Sequence, residues 1–100
     1  MELLVKQPAV YIVTNKRNGT LYTGVTSNLS QRIYQHRSGI IEGFTKKYNC
    51  KILVYFQQFE TMEQAIRWEK IMKSKTRKEK LELIESKNSE WKDLYSLLSY

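Results

Sequence analysis

Arg32 and His36 lie four residues apart in a segment patterned as an amphipathic helix. A guanidinium able to fork onto a phosphate therefore stands one turn from the only imidazole of the chain. Just ahead of them runs a short strand-like stretch that carries Tyr22 and ends in Gly24. Downstream, Glu69 falls four residues after Ala65 and three before Met72, inside the stripe of its helix that should face the core. A carboxylate so placed needs a partner: Lys73 on the next turn, Arg32 across the core, or a hard metal ion. These are residue types suited to phosphate chemistry.

Other chemistries fall away. One histidine and one cysteine exclude His-rich metal centres, two-histidine nuclease folds and zinc hydrolases. There is no Walker loop and no G-x-G-x-x-G after a strand. What remains is a carboxylate-held cation such as Mg²⁺, with arginine and tyrosine at a phosphate.

The elements that must position these groups follow from local pattern. Ala9 to Thr14 is rich in β-branched and aromatic residues and reads as a strand. Asn18-Gly19 tolerates positive φ, so Thr20 to about Val25 should fold back as a hairpin. The period of two puts Tyr11 on a face with Val13 and Tyr22 on a face with Gly24, and the hairpin can present both tyrosines to one site. Thr26, Ser27 and Asn28 are helix starters, and Asn28 with Gln31 approximates a capping box, so a helix should open near Leu29 and stop at Gly39. Gly39 to Lys51 has no clear period and reads as a loop. Ile52 to Phe56, continuing to about Phe59, reads as a third and best-buried strand. Thr61 with Gln64 forms a capping box that opens a helix to about Ser74. A second helix spans Arg77 to Ser86 with Leu81 and Ile84 inward, and a short one from Asn88 should dock Trp91 and Leu94 on the core.

One hundred residues make one domain, residues 1–100, with a modest core and no linker. Seventeen Lys and Arg against ten Asp and Glu give a net charge of +7 and favour polyanions, nucleic acid before acidic lipid. The lone Cys50 leaves no disulfide framework, and neither a signal peptide nor a membrane span is apparent, so a cytoplasmic home without membrane attachment is expected.

Ala9-Val10-Tyr11, then Tyr22-Thr23-Gly24, then Arg32 and His36, together resemble the GIY-YIG nuclease family, and the likeness extends to Glu69 and to Asn88. It covers nearly the whole chain. The Phe44-Thr45-Lys46-Lys47-Tyr48 and Glu85-to-Trp91 segments are similar to its small stand-alone bacterial branch. The resemblance implies an α+β fold, a three-stranded antiparallel sheet flanked by helices, and a Mg²⁺-dependent phosphodiesterase acting on DNA, with Mn²⁺ as a substitute and DNA repair as a setting. Tyr11, Tyr22, Arg32, His36 and Asn88 then match the catalytic positions, and Glu69 matches the metal ligand. Ala9 and Val10 stand for the glycine and isoleucine of the first motif, Thr23 for the isoleucine of the second and should sit off the site side, and Ser89 for a proline after the asparagine.

Hydrolysis of a phosphodiester needs a deprotonated water, neutralised charge at phosphorus and a stabilised leaving oxygen. Tyr11 is the candidate general base. Its reference pKa of about 10 demands help from the Arg32 charge and a hydrogen bond to His36. Tyr22 would orient the water or the phosphate. Lys46, Lys47, Lys73 and Arg77 are expected to contact the DNA backbone. The reading is a DNA endonuclease selective for structure or strand rather than sequence, since no recognition domain is apparent, acting as a monomer or weak dimer. The alternative is a nucleic-acid-binding module with the same fold that does not cut.

Overall fold

The computed structural model describes residues 7–41 and 43–98, so the reading of the N-terminus as free of a leader lies, for residues 1–6, outside the described residues. The elements run β1 (Ala9–Thr14), β2 (Leu21–Thr26), α1 (Leu29–Arg37), α2 (Phe44–Lys47), β3 (Ile52–Gln58), α3 (Met62–Ser74), α4 (Arg77–Lys87) and a closing 3₁₀ segment (Leu94–Leu98). They form the α+β arrangement that the family resemblance implied, a three-stranded antiparallel sheet flanked by helices.

The strand order is β2-β1-β3, so β1 is central and all six of its residues are buried. This corrects the expectation that β3 is the best-buried strand: β3 is an edge, and only Leu53, Val54 and Tyr55 of it are fully enclosed. β1 is covered on both faces, which is why it reads as an unbroken apolar run despite antiparallel pairing. On one face Tyr11 and Val13 pack with Leu29 and Ile33 of α1, Leu53 and Leu98. On the other, Val10 and Ile12 pack with Ala65 and Met72 of α3, Ile84 of α4 and Trp91. The β1–β3 register slips between Ile12 and Val13, where Ile12 faces Tyr55 and Val13 faces Leu53. That bulge turns Val54 and Tyr55 to the same face, an extra apolar side chain under the helices.

Caps set the helix phases. The Asn28 side chain accepts from the Gln31 N–H and opens α1, a contribution of about 1 kcal/mol. The helix ends at Arg37, and Gly39 follows at φ +70°, a conformation a side chain would resist. Thr61 with Gln64 and Thr76 with Glu79 form complete capping boxes at α3 and α4. The second has the Thr-x-x-Glu pattern.

Two expectations need revision. Part of the Gly39–Lys51 loop is the short helix α2, which periodicity could not reveal in four residues. No helix starts at Asn88; Trp91 sits in a left-handed backbone conformation (φ 56°) that buries its ring, and only the 3₁₀ segment from Leu94 is helical. Among the described residues no helix is long and apolar enough to cross a membrane.

Candidate active site

Tyr11 lies opposite Gly24 across the β1–β2 ladder, and Val13 lies opposite Tyr22. Both tyrosines therefore share the face covered by α1, with ring centroids 6.5 Å apart. The turn that returns the chain uses Asn18 at φ 58°. Thr23 takes the opposite face, off the site side as expected. It stands across from Ile12, and its buried hydroxyl has no hydrogen-bond partner among the described residues.

The phase of α1 aims His36 inward, 5% exposed, where its ring lies 5.5 Å from that of Tyr11 and 5.9 Å from that of Tyr22. Its Nε2 is 2.9 Å from the Tyr11 hydroxyl, and its Nδ1 is 3.0 Å from the Thr45 hydroxyl on α2. The Arg32 side chain, one turn earlier, lies beside the same Tyr11 hydroxyl, and its charge favours the tyrosinate. Glu69 of α3 makes its ion pair with Lys73 at 2.9 Å, one of the simpler partners the sequence offered, while its charge still reaches Tyr11. The structure thus brings Tyr11, Tyr22, Arg32, His36 and Glu69 into one electrostatic neighbourhood.

Burial dominates its proton chemistry. It pushes Tyr11 up to about 12; the Arg32 side chain and its charge pull against that, and Tyr22 and Glu69 add to it. Burial likewise lowers His36 to about 4, with the Arg32 charge acting in the same sense. The expectation that Arg32 and His36 would bring Tyr11 down toward neutrality is thereby reversed for the free protein: Arg32 does lower it, and desolvation outweighs that. At neutral pH the pair rests as a neutral phenol beside a neutral imidazole.

Asn88 is not brought to this group. It caps α4, and its amide donates to the Val54 and Lys92 carbonyls while its oxygen accepts from the Lys92 N–H. Those bonds anchor the 88–93 turn to the free edge of β3, with β3 and β1 between it and the edge strand β2 that bears Tyr22. Its placement among the catalytic residues is corrected accordingly: the side chain is spent on backbone. Arg77, expected at the DNA backbone, is exposed and also serves the fold. Its Nη2 donates to the Asn18 and Gly19 carbonyls, at 2.7 Å each, and ties α4 to the β1–β2 turn. Lys73 is engaged by Glu69, and the Lys47 ammonium sits 5.5 Å over the Tyr48 ring, with Lys46 exposed beside it.

Two features escaped the sequence reading. Thr45 had no signal, being a single threonine in a segment without period. The Tyr22 ring continues into Phe44 (5.9 Å) and on to Tyr48 (4.7 Å), a row that ends in side chains 46% and 42% exposed. The interleaving of two aromatics with lysines was its trace in the sequence.

Among the described residues no three of His, Cys, Asp and Glu converge. A cation here would rest on Glu69, its own waters and a substrate phosphate, a donor set that fits Mg²⁺.

Comparison with known proteins finds relatives of the whole domain. Residues 7–82 match the family model described as the GIY-YIG catalytic domain. A UPF0213 protein of Clostridium perfringens is 42% identical over 79 residues, 79% of this chain and 84% of the relative. One from Staphylococcus haemolyticus is 40% identical over 78 residues, 78% of this chain and 94% of the relative. The solution structure of a UPF0213 protein from Bacillus halodurans superposes with a TM-score of 0.55 at 30% identity, covering 94% of this chain and 99% of that one.

Proposed function

Because this chain belongs to the GIY-YIG family, whose catalytic-domain model it matches over residues 7–82, we propose that it is a metal-dependent DNA endonuclease. The observation that carries the reading is the 2.9 Å hydrogen bond between the Tyr11 hydroxyl and His36 Nε2, made under Arg32 and within reach of the Glu69 charge.

With Tyr11 at about 12 and His36 at about 4, neither group ionises before substrate arrives. The proton therefore moves through the pair rather than from a standing tyrosinate. The attacking water gives its proton to the Tyr11 oxygen as the Tyr11 proton passes to Nε2. The new hydroxide forms a bond to phosphorus, the bond to the 3′-oxygen breaks, and that oxygen takes a proton from solvent. Arg32 has five donors, enough to stay beside the Tyr11 oxygen and also to neutralise a non-bridging phosphate oxygen. Tyr22 flanks the Tyr11–His36 pair and orients the water or the phosphate. Glu69 would hold Mg²⁺, or Mn²⁺ in its place, which would supply positive charge to the reacting phosphate.

The exposed Phe44 and Tyr48 rings, continuous with Tyr22 and bordered by Lys46 and Lys47, favour unpaired bases. Such rings stack on bases that a duplex would keep stacked on each other. This supports selection by strand or structure rather than by sequence.

The test is cleavage of labelled single-stranded, duplex and branched DNA with Mg²⁺, Mn²⁺ or EDTA, comparing wild type with Tyr11→Phe and Glu69→Ala. Metal-dependent cutting lost in both variants is the expected result. Salt-sensitive binding without cutting under any metal would make the protein a binding module instead, and cutting that survives Glu69→Ala would remove the metal assignment.

A further inference from the structure

The Tyr11 hydroxyl is bonded to His36 Nε2 at 2.9 Å and has the Arg32 side chain as its cationic neighbour. A guanidinium only donates, so the single Tyr11 proton has one acceptor between them, the Nε2 lone pair. A neutral imidazole that accepts at Nε2 carries its proton on Nδ1. The group that meets Nδ1, at 3.0 Å, is the hydroxyl of Thr45, which is itself 5% exposed. With the Arg32 charge facing the Tyr11 oxygen, the chain of bonds has one consistent direction: Tyr11 donates to Nε2, and Nδ1–H to Thr45 Oγ1.

We propose that Thr45 is a positioning residue that holds His36 in the Nδ1–H tautomer, so that Nε2 presents a lone pair to Tyr11. The role of that lone pair in DNA cleavage rests on the reading of Tyr11 as the general base; the tautomer itself does not. Without an acceptor at Nδ1 the imidazole proton is free to move to Nε2. There it would point at Tyr11, and the hydroxyl would lose the only partner able to take its proton. A carboxylate at position 45 would also hold Nδ1–H, but it would favour the charged imidazolium. A hydroxyl fixes the tautomer and leaves the ring neutral, in keeping with the lowered His36. Thr45 can do this because α2, though only four residues long, is tied down at its far end: the Thr45 carbonyl accepts from the N–H of the buried Cys50 at 2.9 Å.

His36 is the only histidine, so the imidazole region of a ¹⁵N NMR spectrum reports on it alone. The experiment records long-range ¹⁵N–¹H spectra of the wild type, Thr45→Val and Thr45→Ser without DNA, and then measures single-turnover cleavage and DNA affinity for the three. The expected result is a wild type in the Nδ1–H form, its loss or averaging in Thr45→Val, and its retention in Thr45→Ser. The cleavage rate of Thr45→Val should fall about tenfold or more at unchanged DNA affinity, with Thr45→Ser close to wild type. A wild type in the Nε2–H form overturns the proposal and needs no variant to fold. An unchanged tautomer in Thr45→Val overturns it as well. A protein that cuts no DNA would sink the nuclease reading, while the tautomer spectra would still decide the part played by Thr45.

Discussion

Tyr11 and Gly24 face each other across the β1–β2 ladder so closely that a Cβ at position 24 would stand 2.5 Å from both Cζ and the hydroxyl oxygen of Tyr11. The glycine is required for the room it leaves. Gly24→Ala should push the Tyr11 ring off its hydrogen bond to His36, or part the strands, at a cost of about 1–3 kcal/mol. A lowered unfolding midpoint together with a shifted His36 imidazole spectrum would show it; a variant as stable as wild type with an unmoved spectrum would contradict this account.

Tyr11→Phe keeps the ring in the core and removes the hydroxyl. Single-turnover cleavage should fall by roughly 10²–10⁴, the usual contribution of a positioned proton-transfer group. His36 Nε2 would be left buried without a partner, so denaturant unfolding should also show a loss of about 1–3 kcal/mol. Unaltered cleavage would exclude Tyr11 as the base.

The lowered His36 makes stability depend on pH. The unfolded chain takes up its imidazole proton near 6.5, and the folded chain only near 4. Between those values the unfolded state binds more protons, so stability falls as pH drops from about 6.5 toward 4, and below 4 this group adds nothing further. Unfolding midpoints at pH 7.5, 6 and 4.5 should decline over that interval, and His36→Gln should flatten the decline.

Glu69→Gln keeps shape while removing charge. The Glu69–Lys73 pair spans one helical turn, and the Lys73 side chain is 53% exposed, so stability should change by only a few tenths of a kcal/mol. Metal-stimulated cleavage, by contrast, should be lost, and calorimetric titration with Mn²⁺ should lose its binding heat. Retained metal stimulation would move the cation to another ligand.

Phe44→Ala and Tyr48→Ala should each weaken binding of single-stranded DNA by about 1–3 kcal/mol without altering the dependence on salt, since stacking releases no counterions. Lys47→Ala should instead reduce the salt slope by about 0.7. Equal losses on duplex and single strands for the aromatic variants would argue against a stacking role.

Much of this site was legible because local rules place it. A period of two along β1 and β2, joined by a turn that Asn18 permits, put Tyr11 and Tyr22 on one face before any tertiary contact was known. The Asn28 cap fixed the phase of α1, and with it the inward turn of His36 one turn beyond Arg32. Glu69 announced itself as a carboxylate in an apolar stripe. Thr45, Asn88 and Arg77 were beyond such rules. The contacts that define them, to His36, to Val54 and to Asn18 and Gly19, join segments separated by loops or by most of the chain, and no local period encodes those distances.

The sequence by itself therefore determined which side chains share a face and which helices present them, since caps, turns and side-chain periods act over a few residues. The tertiary structure alone decided that β1 is the enclosed strand, that Asn88 serves the backbone, and that Tyr11 and His36 rest uncharged. Strand order and depth of burial are sums over the whole packed chain, and desolvation, which outweighs the pull of Arg32 on Tyr11, exists only once that packing is complete.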